Sequence, residues 1–338
     1  MAGLTGSIPD SMTHKKIQVV CQRRLVSGGA ESLHNLVLQL RGIGLRANLV
    51  YFPEVGVDEA QTSYYFADYG LLPTALDDSR ETIVIFPETL CMEALKLKHA
   101  QAAIWWLSVD NFLRIKYGNL WDKWRYFKSV MRGERPFGGV KALRRLRHFS
   151  KCRYDEIFLA KHGIHFERIT GPISYRYIEA SKCLDVWLRQ KKDWILYSPE
   201  TPKSILTLVR IELPKVALVE MKGYSSDEMI SLYRQAKVFM DFGNHPGQER
   251  MPREAAVMGC FVITGMKGAA ANDEDLPLAP KYKLNVRSFM FTSTLTDLVN
   301  EAIKQHESMW LDQRYFRRYV AEQFDNQRKQ LIAILRGD

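Results

Sequence analysis

Two series of short, largely apolar runs alternate along the chain with stretches whose apolar residues recur every three or four positions. The first series covers residues 17–21, 47–52, 82–86, 102–107 and 166–170. The second covers 194–197, 216–219, 238–242 and 261–264. Brief, largely apolar runs bounded by turn residues predict strands buried on both faces of a parallel sheet. Between them, Leu33, Leu36, Val37 and Leu40 carry helical spacing over 31–41. Further helices are predicted over 92–98, over 202–210 with a proline in its first turn, over 225–236 behind Ser225-Ser226-Asp227-Glu228, and over 251–258. From 295 onward the pattern is helical to the end, through Leu295, Leu298, Ala302, Tyr319, Phe324, Leu331 and Leu335. Strand–helix–strand alternation in two series predicts an α/β fold of two doubly wound, Rossmann-like domains facing a central cleft. The polar stretch 179–192 marks the boundary, giving domains over 1–180 and 181–311, with a terminal helix over 312–338 able to pack back on the first.

A length of 338 residues fits two such domains. No apolar run reaches the roughly 18–20 residues of a membrane span. Residues 1–14 lack the apolar core of a secretory signal, so the expected location is the cytosol. Five cysteines are scattered without a C-x-x-C pair, which argues against a disulfide framework or a zinc site.

Charge changes this picture in one place. Residues 112–153 hold thirteen lysines and arginines against two acids, Asp122 and Glu134, a local excess of eleven in a chain whose net charge is +10. Leu120, Trp121, Trp124, Phe127 and Met131 are interleaved with Lys123, Arg125, Lys128 and Arg132 at helical spacing, and residues 141–151 repeat the pattern with Leu143, Leu146 and Phe149. Basic, aromatic, amphipathic helices suit an anionic membrane surface. Nucleic acid is the less favoured partner, and a core-packed aromatic face with solvated cations is the structural alternative.

The densest chemistry lies late in the chain. After the apolar run Val238-Phe239-Met240 come Asn244, His245, Glu249, Arg250, Arg253 and Glu254, then Ala255-Ala256-Val257-Met258-Gly259 and the apolar run from Cys260. This loop and helix start fall at the carboxyl edge of a strand, where parallel sheets bind ligands. The glutamate, small residues, glycine and strand of 254–263 resemble the nucleotide-sugar-binding half of GT-B glycosyltransferases, especially the retaining Glu-x7-Glu group of bacterial polysaccharide type. Gly28-Gly29-Ala30-Glu31 after the first strand resembles that family's glycine-rich loop. Two departures stand out: Pro246 occupies the place of the first glutamate, with Glu249 the nearest acid, and the phosphate-binding Arg/Lys pair is reduced to Lys203.

The resemblance implies transfer of a sugar from a nucleotide-sugar to a surface glycan or lipid-linked acceptor, with no cofactor and no metal. Glu254 at a helix start would accept the ribose diol. Lys203, Arg250 and Arg253 would answer the diphosphate charge, and Gly28, Gly29, Asn244 and His245 would line the donor. Glu249 is a candidate catalytic acid. Three first-domain strands end in an acid, and Asp110 and Glu88 rank above Glu54 as candidate bases for the acceptor hydroxyl. Asp241-Phe242-Gly243 carries no kinase reading, because the glycine-rich and His-Arg-Asp loops are missing. An epimerase or hydrolase of the same fold, and a catalytically inactive glycan-binding relative, remain open alternatives.

Overall fold

A computed structural model describes residues 14–23, 25–53, 64–115, 119–183 and 188–336. They divide into two compact units, one within Met1–Pro172 and Gln323–Asp338, the other Ile173–Glu322.

In the first unit, β1 (Lys16–Gln22), α1 (Gly28–Gly42) and β2 (Arg46–Phe52) open the fold. Then come β3 (Thr82–Pro87), α2 (Cys91–Ala94), β4 (Gln101–Trp106), α3 (Val109–Leu113), α4 (Leu120–Met131), β5 (Arg147–Ser150), α5 (Arg153–Lys161) and β6 (Glu167–Arg168). The strands form one parallel sheet in the order β2-β1-β3-β4-β5-β6. Because successive strand residues point to opposite faces, Val19, Ile85 and Trp105 join one core with Leu33, Leu36 and Leu40 of α1, while Val20, Phe86 and Trp106 join the other with Phe112 and Leu159. Both faces are covered, so the middle strands are mostly apolar, and their buried polar residues are hydrogen-bonded: Gln18 to Thr74 and Ala75, and His148 to Trp106 and Leu143.

The second unit runs α6 (Tyr175–Ser181), β7 (Lys192–Tyr197), α7 (Lys203–Glu212), β8 (Ala217–Glu220), α8 (Ser226–Gln235), β9 (Ala236–Asp241), α9 (Arg250–Val257), β10 (Phe261–Gly265) and β11 (Lys283–Leu284). The helices α10 (Phe291–Lys304), α11 (His306–Asp312) and α12 (Arg314–Ala321) follow. Its sheet is parallel in the order β11-β10-β9-β7-β8. The last helix, α13 (Gln323–Arg336), returns to the first unit. There Leu331 enters the core beside α1, and Gln327 and Gln330 hydrogen-bond Thr170 after β6.

Two expectations change. The stretch 141–151 is not an amphipathic helix. It forms a single turn, Gly139–Leu143, and then strand β5, which buries Phe149, while Leu143 enters the core. The β-strand wins because Phe149 and Ser150 pair in register with Trp105 and Trp106 on one side and with Glu167 and Arg168 on the other. The short edge strand β11 also lacked a sequence signal, as two residues cannot show a period. Among the described residues no helix is long and apolar enough to cross a membrane.

Candidate functional site

In the second unit the polar loop after β9 is tightly fastened. Asp241 accepts a hydrogen bond from the Gly243 amide at 2.9 Å, and its Oδ1 lies 3.5 Å from His245 Nε2. His245 is buried with φ 39°, a left-handed conformation unusual for a residue with a side chain. Its carbonyl accepts from the Ala269 amide at 2.9 Å, which ties the loop to the turn after β10. Gly268 makes that approach possible: it has φ 55°, and a Cβ there would collide with the carbonyl oxygens of His245 and Asn244. Gln248 completes the fastening, donating to the Asp275 carbonyl at 2.9 Å and to Tyr319 Oη at 2.6 Å.

Helix α9 starts at Arg250 with Glu249 at its cap, so Glu254 sits in the second turn rather than at the helix start. Its carboxylate is 0 % exposed. It accepts from Tyr233 Oη at 3.1 Å and from Arg250 Nη1 at 3.2 Å. Both oxygens are thus engaged inside the unit. Tyr233, a residue of α8, gave no signal of its own because it reads as one more apolar position. Its burial and the adjacent Glu254 charge push its phenol far up, so it stays a donor.

Arg253 is 1 % exposed, and its Nε and Nη2 donate to the carbonyls of Glu249 and Gln248, each at 2.9 Å. That geometry makes it a clamp of the loop. Of the cations expected to meet a diphosphate, Arg250 keeps a fifth of its side chain at the surface, and Lys203 is exposed at the first position of α7. Neither α7 nor α9 has a side-chain cap on its N-terminus. Both helices therefore begin with amide donors and a positive dipole end at the carboxyl edge of β7 and β9. Lys267, exposed after β10 on the same sheet edge, was missed in the sequence because it follows the strand end by two residues. Glu249 and Asn244 are half-buried on the loop.

In the first unit, Gly28 and Gly29 open α1 behind Ser27, whose hydroxyl accepts from the Ala30 amide at 3.2 Å. Glu88 follows β3 and Asp110 follows β4, as expected, but both are buried. Glu88 Oε2 accepts from the Leu107 amide at 3.0 Å. Burial raises its pKa to about 7, against the lowering effect of that amide and of the charges on Arg135 and Lys151. Asp110 accepts from Tyr154 Oη at 2.9 Å, and burial also raises its carboxyl above the usual range. Arg135 holds this strand edge by donating to the carbonyls of Phe112, Asn111 and Thr89. Glu54 lies outside the described residues.

Whole-chain comparison shows what this architecture is. The chain resembles alpha,alpha-trehalose 6-phosphate synthase from Burkholderia multivorans, with a TM-score of 0.56 at 11% identity over 96% of this chain and 98% of that one. Sucrose-phosphate synthase from Thermosynechococcus elongatus gives 0.55 at 12% identity, covering 96% and 97%. The catalytic domain of starch synthase IV from Arabidopsis thaliana, bound to ADP and acarbose, gives 0.52 at 10% identity, covering 95% and 99%. The fold is that of the GT-B glycosyltransferases. No protein-family model matches the sequence, and no curated protein matches it. Among the described residues no three His, Cys, Asp or Glu side chains group to hold a metal ion.

Proposed function

We propose that the chain is a glycosyltransferase that moves a sugar from a nucleotide-sugar to a glycan or lipid-linked acceptor, at the cytosolic face of a membrane and in surface polysaccharide synthesis. The observation that carries this reading is Arg250, held by a fully buried glutamate at an uncapped helix start on the carboxyl edge of β9. Full-length likeness in fold to synthases supports it.

In this reading the second unit holds the donor. Arg250 and Lys203 face the diphosphate, and the amides opening α7 and α9 add donors at a positive dipole end. As the glycosidic bond breaks, negative charge grows on the departing nucleoside diphosphate, and fixed cations stabilise it. Binding then needs no metal. Asn244, His245 and Glu249 lie on the same loop and line the donor. The first unit serves the acceptor, with Asp110 or Glu88 as the base for its hydroxyl, because a carboxylate whose pKa is raised is the stronger base.

Calorimetry with UDP-, GDP-, dTDP-, ADP- and CMP-sugars tests the reading. One of them should bind, and Arg250→Ala should weaken it by roughly 1–3 kcal/mol, the range for a hydrogen bond to a charged group. A screen in which none binds sinks the proposal. Sugar release without an acceptor would move the assignment to a hydrolase or epimerase of the same fold.

A further inference from the structure

Helix α4 turns the usual arrangement of an amphipathic helix outward. Leu120, Trp124, Phe127 and Met131 recur at helical spacing along one stripe, with Trp121 beside it, and all five are exposed, from 48% at Trp124 to 78% at Leu120. The opposite side faces the unit. There Asp122 and Ser129 are buried, and the half-buried ring of Tyr126 meets Phe112 at 6.1 Å. Trp121 and Trp124 stand edge to face at 5.9 Å, and Lys128 Nζ lies 4.1 Å over the Trp124 ring. Phe137, just past the helix, is 94% exposed.

The charges around this stripe have one sign. Lys123, Lys128, Arg132 and Lys141 are exposed, while Asp122 is turned inward into the helix cap and Glu134 is paired with Arg114 at 2.5 Å. Contiguous exposed apolar surface on a soluble unit marks an interaction site, and this cationic border selects a polyanionic partner.

We infer that the outward face of α4 docks the protein on an anionic lipid bilayer, with Leu120, Trp121, Trp124, Phe127 and Met131 in the headgroup–acyl boundary and Lys123, Lys128 and Arg132 on the lipid phosphates. A bilayer alone satisfies both halves of the face. Nucleic acid would take the cations and stack on the aromatic rings, but would leave Leu120 and Met131 in water. A second copy of this chain, paired through the same face, would bring like cations together. The helix does not need its stripe to fold. Asn119 and Asp122 cap each other's amides, and Arg125 pairs with Asp122 at 3.2 Å.

The inference rests on the membrane part of the proposed function and not on its chemistry. The test is co-sedimentation of the full chain with vesicles of phosphatidylcholine containing about one third phosphatidylglycerol, against phosphatidylcholine alone. Binding should need the anionic lipid. It should fall by about tenfold or more when salt rises from about 50 to about 500 mM, and as much in the double variant Lys123→Glu, Lys128→Glu. Trp124→Ser with Phe127→Ser should abolish it while circular dichroism and the melting temperature hold. Absent binding at low salt overturns the inference, as does binding that survives both double variants. Dimers or oligonucleotide complexes that these variants dissolve, without vesicle binding, would assign the face to those partners instead. Nucleotide-sugar calorimetry on the same preparations separates the two readings. Vesicle binding without nucleotide binding overturns the transferase and leaves the docking face standing, and the reverse overturns the docking face and the membrane part of the proposed function while leaving its chemistry standing.

Discussion

Helices α4 and α9 break the rule of apolar inside and polar outside in opposite directions. Helix α4 presents tryptophan, phenylalanine and methionine to the surface and turns Asp122 and Ser129 inward. Helix α9 buries Arg253 and Glu254 together. What separates them is the supply of partners. A buried charge costs several kcal/mol unless it is paired and hydrogen-bonded. Around α9 the loop carbonyls of Gln248 and Glu249, the phenol of Tyr233 and the guanidinium of Arg250 supply those bonds. Around α4 the cap, the Arg125 ion pair and the bond from Ser129 to the Tyr126 carbonyl serve the inward polar groups, and the apolar stripe is left over. Periodicity tells which residues share a face, but the partner chemistry across the interface decides which face goes in.

The comparison breaks most readily at Arg253. If it is the clamp of the loop, Arg253→Ala removes two hydrogen bonds from a buried guanidinium to loop carbonyls, each worth about 1.5–3 kcal/mol for a charged donor. Urea unfolding should show a loss of about 3 kcal/mol or more, and nucleotide affinity should fall only as far as the loop loosens. A variant as stable as the parent, with binding abolished, would return Arg253 to the diphosphate.

Glu88 sharpens the same point, because its partners are fewer. It has an amide donor and two nearby cations, yet burial still lifts its pKa from 4.5 to about 7. The folded protein therefore prefers the protonated acid. Its contribution to stability is complete below the unfolded pKa of 4.5 and is lost as pH rises through 7. A shift of that size amounts to about 3 kcal/mol at pH 8. Glu88→Gln keeps an acceptor without the titration, so relative to it the parent should lose about 3 kcal/mol between pH 4 and pH 8. Parallel curves for the two proteins in denaturant melts over that range would show that Glu88 is solvated.

The strands were legible in the sequence because parallel strands covered on both faces are dominated by short apolar runs. Runs such as Val238-Phe239-Met240 and Val262-Ile263 need no period to be recognised. The polar loop 244–254 was legible as chemistry but not as roles. No pattern in the sequence tells that Arg253 points to its own loop, or that Tyr233, twenty-one residues upstream, meets Glu254. The failure at 141–151 has the opposite cause. Leu143, Leu146 and Phe149 carry helical spacing, but the sheet offers Phe149 two neighbouring strands to pair with, and long-range pairing overrides a local period. In 120–131 the local period held, and what sequence left open was its direction.

That direction sets the smallest expected effect and the cleanest contrast with Arg253. A core-packed Trp124 or Phe127 would cost about 3–5 kcal/mol on truncation. On an outward stripe, Trp124→Ser and Phe127→Ser should each change the unfolding free energy by no more than about 0.5 kcal/mol, the range of surface substitutions. Serine has about the helix propensity of tryptophan and phenylalanine, so the exchange itself costs the helix little. The capping box of Asn119 and Asp122 is untouched, so the helix keeps its start. Chemical denaturation of the two single variants decides the matter. Losses of several kcal/mol would mean that the stripe is packed inside the folded protein, and would remove the surface on which the docking argument stands.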